Sequence, residues 1–195
     1  MLYKKIKRVI DLLLSIVAII LLSPVFILVV LLIFISMGRP IIFSQVRPGL
    51  NGKPFKMYKF RTMSNTLVGY ELSDEARITR LGRFLRASSL DELPELFNVI
   101  MGNMSLIGPR PLLVEYLSLY SQVQMRRHEV LPGISGLAQV KGRNSLTWNS
   151  KFRYDVFYVD HIGWKIDLMI LFATIKVVIL RSGFRSHGES EKFGK

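Results

Sequence analysis

The sequence predicts a mostly helical α+β protein: an amino-terminal re-entrant membrane helix hairpin, then a small cytosolic domain with one short β-hairpin and interfacial helices. Three observations carry this. Leu12 to Ile35 is apolar apart from Ser15, Ser23 and Pro24; basic residues flank that run on both sides; and two short apolar-aromatic stretches bracket an Asn51-Gly52 turn before helical periodicity takes over. The divisions are residues 1–38 for the membrane helix, 39–185 for the domain and 186–195 for a polar tail.

As one helix the apolar run would be about 36 Å long, enough for a hydrocarbon core of about 30 Å. It exceeds the apolar part of a signal peptide and lacks a small-residue cleavage site, so it is expected to stay. Pro24 removes a backbone hydrogen bond at mid-run and clashes with the preceding turn, which predicts a bend, and Ser23 can bond the carbonyl that Pro24 frees. Lys4, Lys5, Lys7 and Arg8 precede the run, and Arg39, Arg47, Lys53, Lys56 and Lys59 follow it. The positive-inside rule therefore puts both ends on the cytosolic side, as only a re-entrant hairpin allows. A proline-kinked single span is the alternative.

Beyond Arg39, Ile41-Ile42-Phe43 and Phe55 to Phe60 read as strands joined through Asn51-Gly52. Residues 64–76 are polar and read as an exposed loop. Arg77 to Ala87 reads as a short basic helix. In Ser89-Leu90-Asp91-Glu92 either Ser89 or Asp91 caps the next helix, with Pro94 in its first turn. Leu90, Leu93, Phe97 and Ile100 would give its apolar face and leave Glu92, Glu95 and Asn98 to point elsewhere. Leu112 to Arg127 reads as an amphipathic helix, Val130 to Asn144 as an ordered loop, and Lys151–Tyr158 and Ile166–Leu180 as helices. The last, with Asp167, Thr174 and Lys176 as its polar stripe, either lies on the membrane surface near Trp164 or packs into the core. The tail from Ser182 is expected to fray.

The chain has 195 residues, with 27 Lys and Arg against 14 Asp and Glu and a net charge of +13, which favours anionic partners. With no cysteine, disulfides, Cys-ligated zinc and thiol chemistry are excluded, and His128, His161 and His187 have no metal-ligand spacing. The Walker A loop, Gly-x-Gly-x-x-Gly and His-Glu-x-x-His are absent. What remains is a carboxylate pair, Asp91-Glu92, near a helix start, where unpaired N–H groups steady anions, together with arginines and lysines in loops rich in Pro and Gly: Arg47, Lys59, Arg61, Arg86, Arg110 and Arg143. A carboxylate can act as nucleophile or metal ligand, and arginine's planar fork matches phosphate. Ordinary helix capping and solvated surface charge are the alternatives.

Several motifs together resemble the bacterial sugar transferases, the monotopic polyprenyl-phosphate phosphoglycosyl transferases. They are Lys7-Arg8-Val9-Ile10-Asp11, Arg47-Pro48-Gly49, Lys59-Phe60-Arg61-Thr62-Met63, Ser89 to Val99, Gly108-Pro109-Arg110-Pro111, Pro132 to Val140 and Tyr154-Asp155-Val156. The chain looks like the minimal form of that family, similar to the enzymes that initiate bacterial protein N-glycosylation.

The resemblance implies a membrane helix broken at Ser23-Pro24 and a cytoplasm-facing, monotopic protein of the bacterial inner membrane. It also implies magnesium-dependent transfer of a phospho-sugar from a UDP-sugar to polyprenyl (undecaprenyl) phosphate. By match to the family, Asp91 is the nucleophile of a ping-pong scheme and Glu92 the magnesium ligand. Arg110 and Arg143 are expected to contact phosphate, and Lys59 and Arg61 the nucleotide or lipid phosphate; bonding of loop carbonyls is the alternative for all four. UDP-di-N-acetylbacillosamine is the preferred donor, with UDP-hexoses and UDP-N-acetylhexosamines as alternatives. Two competing functions are a non-catalytic basic module tethered to the membrane and a phosphohydrolase that uses Asp91. The scattered basic residues and the lack of stacking platforms argue against a nucleic acid partner. The oligomeric state stays open, a homo-oligomer included.

Overall fold

Leu2–Met37 form one helix, α1, in the computed structural model, which describes residues 2–64, 73–142, 145–179 and 193–194. The helix is long and apolar enough to cross a membrane, and most of its apolar stretch is not buried against the rest of the protein. Pro24 lies inside it, and helical bonding continues to either side. The missing proline N–H would have served the carbonyl of Ile20. Ser23 Oγ donates to that carbonyl at 2.8 Å, the repair expected from the sequence.

Residues on both sides of Pro24 in α1 rest on the same domain. Near its start, Tyr3 donates to Asp167 at 2.7 Å, Lys7 lies 2.8 Å from Asp167, and Arg8 donates to the carbonyls of Val99 and Ile100. Beyond Pro24, Val29 and Ile33 are buried with Phe60 and Leu85, and Phe26 meets the rings of Phe60 and Phe97.

The hairpin forms as expected. β1 (Ile42–Pro48) pairs antiparallel with β2 (Pro54–Phe60), Gln45 facing Met57. The turn places Asn51 at φ 53° and Gly52 at φ 74°, left-handed backbone that suits Asn-Gly. Of the polar stretch at 64–76, residues 65–72 lie outside the described residues; Asp74–Arg77 form a helical turn, α2. The basic helix α3 spans Arg80–Ala87, capped by the Thr79 hydroxyl on the Gly82 N–H.

Between α3 and the next helix the structure departs from expectation. Ser89 sits in the left-handed region at φ 58° and caps nothing; Leu90–Glu92 form a 3₁₀ turn, and α4 begins only at Glu95, after Pro94, and runs to Ile100. The inward face of α4 is Glu95, Leu96, Asn98 and Val99, whereas Phe97 stays exposed toward α1. Glu92, Glu95 and Asn98 do point off the apolar face, each onto a partner on β2 more than thirty residues back.

β3 (Ser105–Ile107) pairs parallel with β4 (Gly133–Ser135), so part of the expected loop at 130–144 is a strand, followed by α6 (Leu137–Lys141). The expected helix over 112–127 is broken. Val114–Leu119 is 3₁₀, Tyr120 is extended, and Ser121 starts α5 (Gln122–Met125) with a reciprocal capping box to Gln124.

α7 (Trp148–His161) and α8 (Trp164–Ile179) close the fold. Tyr158, Val159 and Ile170 join Ile107, Val130 and Leu137 in the main core. The expected polar stripe of α8 is split, with Asp167 and Thr174 turned to the domain and Lys176 exposed. Asp167 is buried on Tyr158, Tyr3 and Lys7, and Thr174 bonds Ser135, while Trp164, Leu168, Phe172 and Ile175 are exposed. In the tail, Phe193 packs against Tyr116, Tyr120, Trp148 and Phe152.

Candidate active site

The acidic turn between α3 and α4 faces the β2 strand and the loop after β3. Successive side chains alternate faces of a strand, so Met57 and Lys59 share one. Met57 packs on Val99 and Met104 in a small core. Two residues on, Lys59 Nζ lies 2.8 Å from Glu92 Oε1 and 3.1 Å from Glu95 Oε1. Arg110 reaches the same Glu92 oxygen at 2.6 Å. Thus Lys59, Glu92 and Arg110 of the expected set meet, with Asp91 beside them.

Arg110 is held by its loop. Gly108 N–H donates to Ser135, Gly133 N–H donates to the Pro109 carbonyl, and Arg127 donates to the Arg110 carbonyl at 2.6 Å. Arg127 is itself buried on Asp155 at 2.8 Å. At Gly133 a Cβ would lie 2.1 Å from the Gly108 nitrogen, so the close approach of the two segments requires glycine. The Arg110 side chain remains partly open, 41% exposed, and accessible to a ligand.

Burial sets the protonation pattern. Asp91 is 8% exposed, and burial pushes its carboxyl up to about 6, with Lys59, Arg110 and Arg86 pulling down and the Glu92 charge adding to the rise. Burial alone would raise Glu92 too, but Arg110 and Lys59 on its oxygen hold it well below the usual carboxylate range. Glu95, 2% exposed, is pushed up to about 7 by burial against the pull of Lys59. Three carboxylates crowd around Lys59 and Arg110; Glu92 carries the firm negative charge, and Asp91 is poised between acid and anion.

Of the remaining expected residues, Arg61 lies elsewhere. It is buried at the end of α1, donating to the carbonyls of Met37, Gly38 and Arg39, the carbonyl-bonding alternative. Arg143 falls outside the described residues. Ser23 and Pro24 are in α1, as described above. Sequence reasoning did not single out Glu95 or Asn98: both read as polar residues off the apolar face, and no local signal marks them as buried. Arg86, seen only as one of several loop arginines, donates to Thr62 at 2.9 Å and bears on the charge of Asp91.

Among the described residues no group of three or more His, Cys, Asp or Glu side chains is arranged to hold a metal ion. Magnesium uses one or two carboxylates and completes its shell with substrate phosphate and water.

A family model described as bacterial sugar transferase matches residues 2–181. The chain is 46% identical over 191 residues to the uncharacterized sugar transferase EpsL of Bacillus subtilis, covering 96% of this chain and 95% of that one. It is 39% identical over 196 residues to the exopolysaccharide production protein ExoY of Sinorhizobium fredii, covering 91% and 87%. It is also 40% identical over 183 residues to the UDP-glucose:undecaprenyl-phosphate glucose-1-phosphate transferase of Klebsiella pneumoniae; the match covers 87% of this chain and 39% of that longer protein.

Proposed function

Because the chain belongs to the bacterial sugar transferase family, we propose that it transfers a phospho-sugar from a UDP-sugar to polyprenyl phosphate through a covalent intermediate on Asp91. The observation that carries this reading is the convergence at one acidic turn: a buried carboxylate of raised pKa beside a second carboxylate that two cations hold ionised. Buried titratable groups with opposed shifts are what nucleophilic and acid–base sites need.

In the first step an Asp91 oxygen attacks the sugar-bearing phosphorus. The bond from that phosphorus to the bridging oxygen breaks, and UMP leaves with the electron pair. An aspartyl phospho-sugar remains. In the second step an oxygen of polyprenyl phosphate attacks the same phosphorus and expels the Asp91 carboxylate, giving polyprenyl diphospho-sugar. No sugar carbon–oxygen bond is touched. Arg110, partly exposed beside Glu92, would clamp the diphosphate, and Lys59 would follow the developing charge. Magnesium, held by Glu92, would neutralise diphosphate charge.

The acceptor is a lipid, so the site must sit at headgroup depth. Contacts of both arms of α1 with one domain support a re-entrant helix, since a span would carry one end about 30 Å away across the bilayer. The exposed Trp164, Leu168, Phe172 and Ile175 of α8 support an interfacial position for that helix. The glucose 1-phosphate in the name of the Klebsiella relative favours a UDP-hexose over UDP-di-N-acetylbacillosamine as donor.

The test is UMP release from a panel of UDP-sugars by the membrane-embedded protein, with and without polyprenyl phosphate. Lipid-dependent turnover yielding polyprenyl diphospho-sugar is expected. Release of free sugar phosphate with the lipid pool unchanged would make the chain a hydrolase, and no UMP from any donor would refute the reading.

A further inference from the structure

Asn98 is fully buried, and its side-chain amide is bonded at both ends to β2: Nδ2 donates to the Lys56 carbonyl at 2.7 Å, and Oδ1 accepts from the Tyr58 N–H at 3.0 Å. The amide docks on that strand as a neighbouring strand's backbone would. Glu95, Asn98 and Val99 fall at i, i+3 and i+4, so they share one face of α4. That face meets β2 in order: Glu95 on Lys59, Asn98 on the backbone around Met57, and Val99 on Met57 itself. The far end of α4 is fixed too, with the Asn98 carbonyl accepting from Asn103 and Met104, and Arg8 of α1 on the next two carbonyls.

Resting on the reading of Asp91 and Glu92 given above, we propose that Asn98 is a positioning residue that sets the register of α4 against β2 and so holds Lys59 on Glu92 and Glu95. Lys59 follows Tyr58 directly, and among the described residues the two amide bonds are the hydrogen bonds that tie that stretch of backbone to the acidic turn's own helix. An apolar side chain of equal size would fill the space but let β2 slide, and an ammonium 15% exposed in a tight pair would be displaced. A displacement of about 1 Å near reacting groups costs on the order of 10²-fold in rate.

The test is a double-mutant cycle in the full-length membrane protein: wild type, Asn98→Leu, Lys59→Met and the double variant, with Asn98→Ser run through the same cycle as the milder change. Asn98→Leu should lower kcat roughly 10–100-fold with KM for the UDP-sugar within about twofold. In the Lys59→Met background the same change should cost less than about threefold, while melting temperature drops equally in both backgrounds. Equal losses of kcat in the two backgrounds would overturn the proposal and leave Asn98 a fold residue only. If Asn98→Leu does not fold, the Asn98→Ser cycle decides by the same criterion. A second readout needs no turnover: competitive acylation of amines, read by mass spectrometry. Lys59 should label several-fold faster relative to Lys53 in the Asn98 variants, and unchanged labelling would also overturn the proposal. A wild type silent with every UDP-sugar would defeat the functional reading instead, while the labelling result would still decide the role of Asn98.

Discussion

Asp91 is a residue whose environment works against its own ionisation. Its folded pKa, about 6, lies above the ordinary value of 3.8, so the folded state binds its proton more tightly than the unfolded chain does. The stability this confers is present below the unfolded value and is lost as pH rises through about 6. At neutral pH the ionised group therefore costs on the order of 1–3 kcal/mol. Asp91→Asn should abolish phospho-sugar transfer and at the same time raise the unfolding free energy by that amount, as measured by thermal melting at pH 7. The same shift predicts the pH dependence of the first half-reaction. Single-turnover release of UMP should fall about tenfold per pH unit below about 6, as the nucleophile becomes protonated. A rate flat down to pH 4.5 would contradict the raised pKa of Asp91.

Among the elements, α1 is the one whose partners decide its role. Arg61 donates to the carbonyls of Met37, Gly38 and Arg39, where last-turn carbonyls lack helical partners. Arg61→Met should lower stability by about 2–3 kcal/mol and melting by roughly 5–10 °C. At a permissive temperature, KM for the donor should be unchanged; a large rise in KM would return Arg61 to phosphate binding. The elements differ in how well they could be read from sequence. The Asn51-Gly52 hairpin and the Ser23 repair beside Pro24 were legible because their causes are local. The start of α4 was not, since the capping pattern at Ser89 yields to a left-handed turn that tucks Asp91 and Glu95 under Lys59. The short parallel pair β3–β4 depends on partners nearly thirty residues apart and leaves no periodic mark. For the candidate site, the Asp91-Glu92 pair and Arg110 were readable as motif residues. The burial of Glu95 and Asn98, and the diversion of Arg61 to the end of α1, arise only from tertiary contact.

For the whole molecule, the proposed re-entrant helix predicts one seating for a basic chain of net charge +13 with an exposed apolar helix and an apolar outer face on α8: the domain on one membrane surface, with both ends of α1 on that side. Because the chain contains no cysteine, Leu2→Cys and Ser36→Cys can be made singly as clean probes. Both should react with an impermeant maleimide only from the cytosolic side, and labelling of one from the opposite side would establish a span. The most direct test of the whole reading is intact-mass and peptide mass spectrometry of the protein quenched after mixing with its UDP-sugar and magnesium in the absence of polyprenyl phosphate. A gain of one phospho-sugar mapped to Asp91, discharged when the lipid phosphate is added, is the expected result. Lipid-dependent product formation with the protein never modified, or modified at another residue, would disprove the aspartyl mechanism.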